Sequence, residues 1–560
     1  MKKFLTTLAC FALLLSSLTG CTSASSQRDG SDIVVNLSSE PSKLNSVLAT
    51  GSVDGNVLRH TMLGLVGLDE NDEAEAGCAE SWTVSEDGLV YTFNIREGMT
   101  WTNGEAVTAH DFTYALSLLF DARSGASYAM TWAPIFEGAT EFFTVTGQGY
   151  SEEDVDAGVE KATDAQVTDA WQATGIKAVD DYTLELTITA PYTYFESLLA
   201  FMNFYPVNQV AVEAAGSLDS YATEVENFVG NGPFVMTAWN HEDSIVLEKN
   251  ETYFNVDNIQ LDSITFKMIS DSNTWLNEFN AGTLDMTGIS GEQYQSLAEQ
   301  GVTTYNYNDG SAWYLEFNTA VEGLSNAKVR EAITLGLNAA KYVELTEKNA
   351  SVVATSFTPP AILNGEFQEE VGVLMDRPED DYSELKALLE EGLAEEGLTL
   401  DTFSFTLMAD EGDTTKIRCE YIQEALNSNL GLTVNVEQIT YQTRLSRMTA
   451  KDYDVVLAGW GPDYNDPMTF MDLWVTGGGN NHTNWSNERY DELISLAYVE
   501  GDADTRTAYL IEAEEILATE YPIGMTHWRA RDYLLADDLK GVVRTAFQDM
   551  DFTGAYIEAE

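Results

Sequence analysis

Apolar and polar positions divide the chain into many short elements. The run Ile33-Val34-Val35-Asn36-Leu37 predicts a buried strand. Apolar and polar residues alternate at 91–95 and 182–188, as half-buried strands do. Helices are predicted at 111–120, with Asp111 as N-cap, and at 191–200, with Pro191 in the first turn. A strand at 264–269 precedes a helix at 273–280, and a strand at 313–317 precedes a helix at 326–345, expected to be the longest of the second half. From 403 onward the order is strand 403–408, helix 414–429, strand 432–439, another helix, strand 454–458. That β-α-β-α-β order is the signature of a parallel sheet covered by helices. Helices at 487–499 and 505–518 and a strand at 532–535 complete the pattern. No repeat of about 20–50 residues recurs, which excludes a solenoid. The fold class is α/β, with at least two lobes.

The first residues follow another logic. Met1-Lys2-Lys3 is a short basic start, and the apolar run at 4–18 is too short to span a bilayer of about 30 Å. It fits the core of a secretory signal covering residues 1–20. The run ends in Leu18-Thr19-Gly20-Cys21, which resembles the lipobox of bacterial lipoproteins, where the cysteine is diacylated and becomes the mature N-terminus. Cys21 is therefore the expected lipidation site. The Ser-rich residues at 21–30 read as a flexible tether. No later segment approaches a membrane-spanning apolar run, so the lipid is the expected membrane attachment.

Length and charge narrow the classes. At roughly 150 residues per domain, 560 residues allow three to four domains. Lys and Arg number 28 against 91 Asp and Glu, a net charge of −63, while 44% of residues are apolar. The chain can therefore fill several cores and is not a disordered acidic tail. Nucleic acid is excluded as a partner by the anionic excess, and so is polybasic attachment to lipid.

Cys10 leaves with the signal; Cys78 and Cys419 remain without C-x-x-C spacing, either paired or as two buried thiols. The histidines His60, His110, His241, His482 and His527 are scattered, so no metal and no cofactor is expected. A secreted acidic hydrolase lacks support, because neither a G-x-S-x-G elbow nor a metal motif occurs. Paired acids such as Glu390-Glu391 and Asp537-Asp538 read as solvated faces. No catalytic residue is assigned.

A long spaced signature is more specific. It comprises Ala79-Glu80-Ser81-Trp82, Asp87-Gly88, Tyr91-Thr92-Phe93, Arg96-Glu97-Gly98, Trp101, Gly104 and Thr108-Ala109-His110-Asp111-Phe112. Gly230-Asn231-Gly232-Pro233-Phe234, Glu248-Lys249-Asn250, Tyr253-Phe254 and Ala281-Gly282-Thr283-Leu284-Asp285 follow. Phe317-Asn318, Val329-Arg330-Glu331-Ala332-Ile333, Gly459-Trp460 and Asp463-Tyr464-Asn465-Asp466-Pro467 complete it. The whole resembles the extracellular solute-binding proteins of family 5, the receptors of oligopeptide and dipeptide ABC importers.

The resemblance implies a two-lobed periplasmic-binding-protein-like fold (type II, cluster C) with a small extra domain inserted in the first lobe. Lobe I is expected at 31–65, 189–308 and 533–560, the insert at 66–188 and lobe II at 309–532. Crossings between the lobes are expected near 306–312 and 527–532. It further implies a monomer that binds a peptide and delivers it to a membrane permease, anchored outside the cytoplasm as a lipoprotein. Within the family, oligosaccharides, nickel chelates and haem are the alternative ligands.

The segment Val455-Val456-Leu457-Ala458-Gly459-Trp460-Gly461-Pro462-Asp463 suits a peptide on its own chemistry. An apolar strand ends in glycines that let another backbone approach, Trp460 offers a flat face, and Asp463 places a carboxylate beyond the strand. Gly459, Trp460, Gly461 and Asp463 are therefore candidate ligand residues. By resemblance, Asp463 stands where relatives hold the peptide's α-ammonium; the other reading is that it closes the turn between Pro462 and Pro467. Motif position favours the ligand role. Resemblance also places Tyr128 in the cleft, with a surface aromatic in a Ser/Gly-rich loop as the other reading, Thr50 and Ser52 against the peptide backbone, and Tyr441 on the cleft wall. Tyr441 as a helix-cap residue is the competing reading. Relatives carry cationic side chains for the peptide's C-terminus where this chain has Met448 and Leu457, leaving Arg444 and Arg447 as substitutes.

Overall fold

Two long strands, Tyr305–Phe317 and Ile523–Leu535, pair antiparallel along the middle of one large sheet. The computed structural model describes residues 30–150, 154 and 157–558. The expected signal at 1–20, Cys21 and all but the last residue of the tether lie outside the described residues.

One half of the sheet extends from Tyr305–Phe317 through Val455–Trp460 and Ser404–Asp410 to Thr433–Ile439. Its outer three strands are parallel, joined by the helices Asp413–Leu430 and Tyr441–Thr449, as the β-α-β-α-β pattern predicts. Val455, Val456, Leu457 and Ala458 are all buried, which explains their continuous apolar run in a sheet covered on both faces. The other half extends from Ile523–Leu535 through Met286–Ile289, Asp32–Asn36, Ser263–Lys267 and Ser244–Lys249 to Phe234–Asn240. A separate four-stranded antiparallel sheet has the order Ala79–Val84, Val90–Ile95, Thr183–Thr187, Ile176–Asp180.

Between the halves lies a waist. Of the first long strand only Ala312 to Phe317 pair with Val455–Trp460, and of the second only Asp532 to Leu535 pair with Met286–Ile289. The first long strand bulges between Asn308 and Ala312. The expected crossings at 306–312 and 527–532 coincide with this stretch, and each half carries its own set of strands on either side of it. Two lobes joined through two strands follow from that pairing.

Several predicted elements need correction. The helix expected at 326–345 stops at Ala327–Gly336, because Asn338 takes a left-handed conformation (φ 54°). A short helix, Ala339–Tyr342, and a turn of π-helix continue from there. The longest helices of the second half are Asp413–Leu430 and Ala503–Glu520, each of 18 residues. The helix expected at 191–200 contracts to the single turn Phe195–Leu198. Cys78 and Cys419 are free, buried and set in different cores, so they do not pair. Among the described residues no helix is long and apolar enough to cross a membrane.

Candidate functional site

The waist forms the floor of a cleft of about 450 Å³ whose walls come from both halves of the molecule. Thr50 and Ser52, at the start of the helix Ser52–Thr61, stand on one wall; Tyr441, Gly461 and Asp463 stand on the other. Tyr128 reaches in from the segment that follows the helix Ala109–Leu119. A second cavity of about 560 Å³ shares Tyr128, Asp463 and Tyr464 with the first, and Trp460 lines it. A third, of about 550 Å³, shares Ser52, Asn56, Arg529, Arg531 and Asp549.

The Tyr128 hydroxyl donates a 3.3 Å hydrogen bond to Asp463 Oδ1. No ion pair to Asp463 exists among the described residues, although its carboxylate faces the cleft. Burial, and then the neighbouring Asp472, push its pKa up to about 7, against the pull of the Tyr128 hydrogen bond. Burial and Asp463 in turn raise the Tyr128 phenol well above its ordinary value, keeping it a donor. The turn that follows is closed by a different acid. Asp466, 2% exposed, accepts two hydrogen bonds from Arg506 (2.7 and 2.8 Å) and one from the Met468 backbone N–H (2.9 Å). Asp463 contributes only its backbone N–H, which donates to Thr469 Oγ1 at 3.1 Å. Its side chain is left for the cleft.

Other candidates separate. Gly459 lines none of these three cavities. It lies opposite Trp313 in the sheet, and a Cβ there would meet the Trp313 ring at 2.9 Å, so this glycine makes room for an indole. That indole sits between the Arg418 and Arg529 guanidiniums, 4.8 and 5.3 Å from its ring centre. Gly461 does border the cleft. Tyr441 is 60% exposed and begins its helix, but the cap is Thr440, whose side chain accepts from the Thr443 N–H. The cap reading of Tyr441 is thereby removed.

Arg444 and Arg447 do not replace the missing cations. Arg444 is buried with its Nε 2.7 Å from Asp410 Oδ1, and Arg447 pairs with Glu437 at 2.8 Å and Asp452 at 3.3 Å. The cleft's positive charge comes instead from the floor. Arg529 and Arg531 both place Nε 2.7 Å from Asp309 Oδ2, and Arg529 also reaches Ser311 Oγ at 3.1 Å. Burial raises the Asp309 carboxyl, but the two arginines outweigh it and hold it below the usual range. Asp549 likewise stays ionised, with Arg531 and Arg544 overcoming its burial. The Arg531 side chain remains 44% exposed, and Arg59 also lines the cleft. Three guanidiniums, Arg59, Arg529 and Arg531, thus line the cleft, and Arg529 and Arg531 share the ionised Asp309. The sequence carried a signal for this pair: arginines two apart in a strand point to one face. Among the described residues no group of three or more His, Cys, Asp or Glu side chains is arranged to hold a metal ion.

Comparison with known proteins agrees with this geometry. The model of the bacterial extracellular solute-binding proteins, family 5 (middle), matches residues 73–482. The chain is 32% identical over 514 residues to the dipeptide-binding protein DppE of Bacillus subtilis, covering 91% of this chain and 89% of that one. It is 32% identical over 532 residues to the oligopeptide-binding protein OppA of the same organism, covering 94% and 92%. Among solved structures, Listeria monocytogenes OppA bound to peptide aligns with a TM-score of 0.78 at 29% identity, over 95% of this chain and 100% of that one. Haemophilus influenzae OppA in complex with the peptide RPPGFSPFR aligns with a TM-score of 0.80 at 25% identity, again over 95% and 100%.

Proposed function

We propose that this chain, which belongs to the bacterial extracellular solute-binding proteins of family 5, captures peptides outside the cytoplasm and delivers them to an ABC permease. The observation that carries this reading is Asp463, a carboxylate in the cleft between the lobes with a phenol for a partner and no cation. A peptide's α-ammonium supplies the missing charge and forms a charge-assisted hydrogen bond there. The relatives that align over nearly the whole chain are named as dipeptide- and oligopeptide-binding proteins, and two of the structures hold peptide.

The cleft suits a zwitterion. Asp463 takes the amine, while the arginine-rich floor around Arg529 and Arg531 takes carboxylate groups, a role that Met448 and Leu457 cannot fill. Gly461 and Trp460 continue the strand Val455–Trp460 beyond its pairing with Ser404–Asp410, which reaches only Val455 and Val456. A peptide backbone can add to that edge, and such pairing tolerates many sequences. Thr50, Ser52, Tyr128 and Tyr441 complete the walls. An oligosaccharide has no ammonium for Asp463, which disfavours that alternative; nothing in the cleft favours a nickel chelate or haem.

In this reading lobe I comprises 31–65, 189–308 and 533–560 with the insert 66–188, lobe II comprises 309–532, and the waist is the hinge. The protein acts as a monomer, carries out no catalysis, and is held at the outer face of the membrane by lipid on Cys21 through the tether at 21–30. Native mass spectrometry of the purified protein tests the ligand class. A mixture of co-purified peptides is the expected result; a bound sugar or metal chelate overturns the reading.

A further inference from the structure

The second cavity, about 560 Å³, opens from Asp463 away from the arginine floor. Its walls are aromatic, with the rings of Tyr128, Trp132, Tyr194, Trp460 and Tyr498 among them. Two carboxylates, Asp463 and Asp472, also line it, and no Lys, Arg or His does. Asp472 Oδ2 accepts a 2.9 Å hydrogen bond from the Tyr498 hydroxyl, and no ion pair to Asp472 exists among the described residues. A cation does lie close by, but it is engaged elsewhere. Arg506 is held by Asp466 and by the Ala497 carbonyl (2.9 Å), and its guanidinium rests 5.7 Å from the Tyr194 ring centre without lining the cavity.

Trp132 adds an independent observation. It is 1% exposed, lines the cavity, and its indole Nε1 has no hydrogen-bond partner among the described residues; Trp460 Nε1 is in the same position. A buried donor left unmade costs free energy that an occupant with a carbonyl removes. Burial also pushes Asp472 up to about 7, as it does Asp463, and no cationic side chain lines the cavity to offset either carboxyl.

Resting on the peptide reading above, we propose that this cavity is a specificity pocket for a Lys or Arg side chain at the amino-terminal end of the peptide, with Asp472 as its charge partner. Asp463 lines both cavities, so a peptide anchored by its α-ammonium there projects a neighbouring side chain into this one. Aromatic faces attract a cation, and the attraction is larger where water is excluded. The head group meets Asp472, while the main-chain carbonyl beside it is an acceptor for the waiting indole donors. An apolar side chain strips water from Asp472 and returns nothing.

The test is a calorimetric titration of the purified receptor with free-amine tripeptides, X-Ala-Ala and Ala-X-Ala, where X is Lys, Arg, norleucine or Gln. At one of the two positions the Lys and Arg peptides bind about tenfold or more tightly than the norleucine peptide. In Asp472→Asn that ratio falls toward one. Equal binding of Lys and norleucine peptides at both positions by the unmodified protein overturns this inference alone and leaves the peptide reading standing. A Lys preference that survives intact in Asp472→Asn overturns the assignment of Asp472. Failure of every peptide to bind overturns the peptide reading and this inference together.

Discussion

Tyr128 and Asp463, 335 positions apart in sequence, meet across the cleft through a single 3.3 Å hydrogen bond. That is long for a bond to a carboxylate, where about 2.5–2.7 Å is usual for a hydroxyl donor. The phenol therefore orients the acid and leaves most of its accepting capacity free. One wall of the cleft holds the carboxylate, and the opposite wall holds it in place.

The pH dependence of binding follows from this arrangement. Asp472 and Tyr128 are the titratable groups facing Asp463, which is pushed up to about 7 by burial and then by Asp472. Its folded value exceeds its unfolded one, so the ligand-free protein keeps a proton that the unfolded chain has released. Stability from this group falls as pH rises from the ordinary carboxylate range to about 7. An incoming ammonium needs the acid ionised. Affinity for a free-amine peptide therefore rises by up to about tenfold per pH unit below 7 and levels off above it. Calorimetry at pH 6 in buffers of different ionisation heat should register proton release, and Asp463→Asn should reduce it. A pH-independent affinity would remove Asp463 from the account.

Asp466 and Asp463 are three residues apart and make different contacts. Replacing Asp466 by Ala strands the buried Arg506 guanidinium and should cost about 3–5 kcal/mol in urea unfolding. Asp463→Asn removes a desolvated acid with no cationic partner and should leave the unfolding midpoint unchanged or raise it. Equal destabilisation by the two substitutions would mean that Asp463 is structural after all.

Gly310 sits in the bulge of the first long strand with φ +69°, and a Cβ there would lie 2.7 Å from Pro462 and 2.9 Å from Ala546. Both the left-handed backbone and the close approach require glycine. Gly310→Val should wedge the lobes apart where they meet at the waist. The expected outcome is a larger radius of gyration by small-angle X-ray scattering and about tenfold weaker peptide binding with the helix content unchanged. An unchanged radius would place the hinge elsewhere.

Cys78 and Cys419 are buried thiols, and burial pushes Cys419 up to about 12 and Cys78 higher still. Little thiolate forms at neutral pH, so neither should react with iodoacetamide in the native protein, and both should react in denaturant. Peptide mapping by mass spectrometry reads this directly. A reducing agent should leave the thermal midpoint unmoved.

Much of this architecture was legible in local pattern, because the β-α-β-α-β run from 403 onward is made of contiguous apolar strands and regular helices. The two central strands were seen only at their ends. Tyr305 to Ser311 carries Asn, Asp and Gly in place of an apolar alternation, yet the neighbouring long strand pairs with Tyr305 to Asn308. Asn338 broke a helix that periodicity alone continues. At the site, motif position led to Asp463, Tyr128 and Gly461, whereas Gly459 faces Trp313 and Arg444 and Arg447 answer to acids of their own lobe. Asp472 gave no signal, since its position beside Asp463 arises from how the chain folds after Pro467 and not from any spacing.

The central claim, that Asp463 holds a peptide's free amine, is tested most directly by a calorimetric cycle with one peptide and its N-acetylated twin on the unmodified protein and on Asp463→Asn. Acetylation should weaken binding to the unmodified protein by about 1.5–3 kcal/mol, the scale of a hydrogen bond to a charged group, and should cost little further in the variant. If the acetylated and free-amine peptides bind the unmodified protein equally well, the account is contradicted.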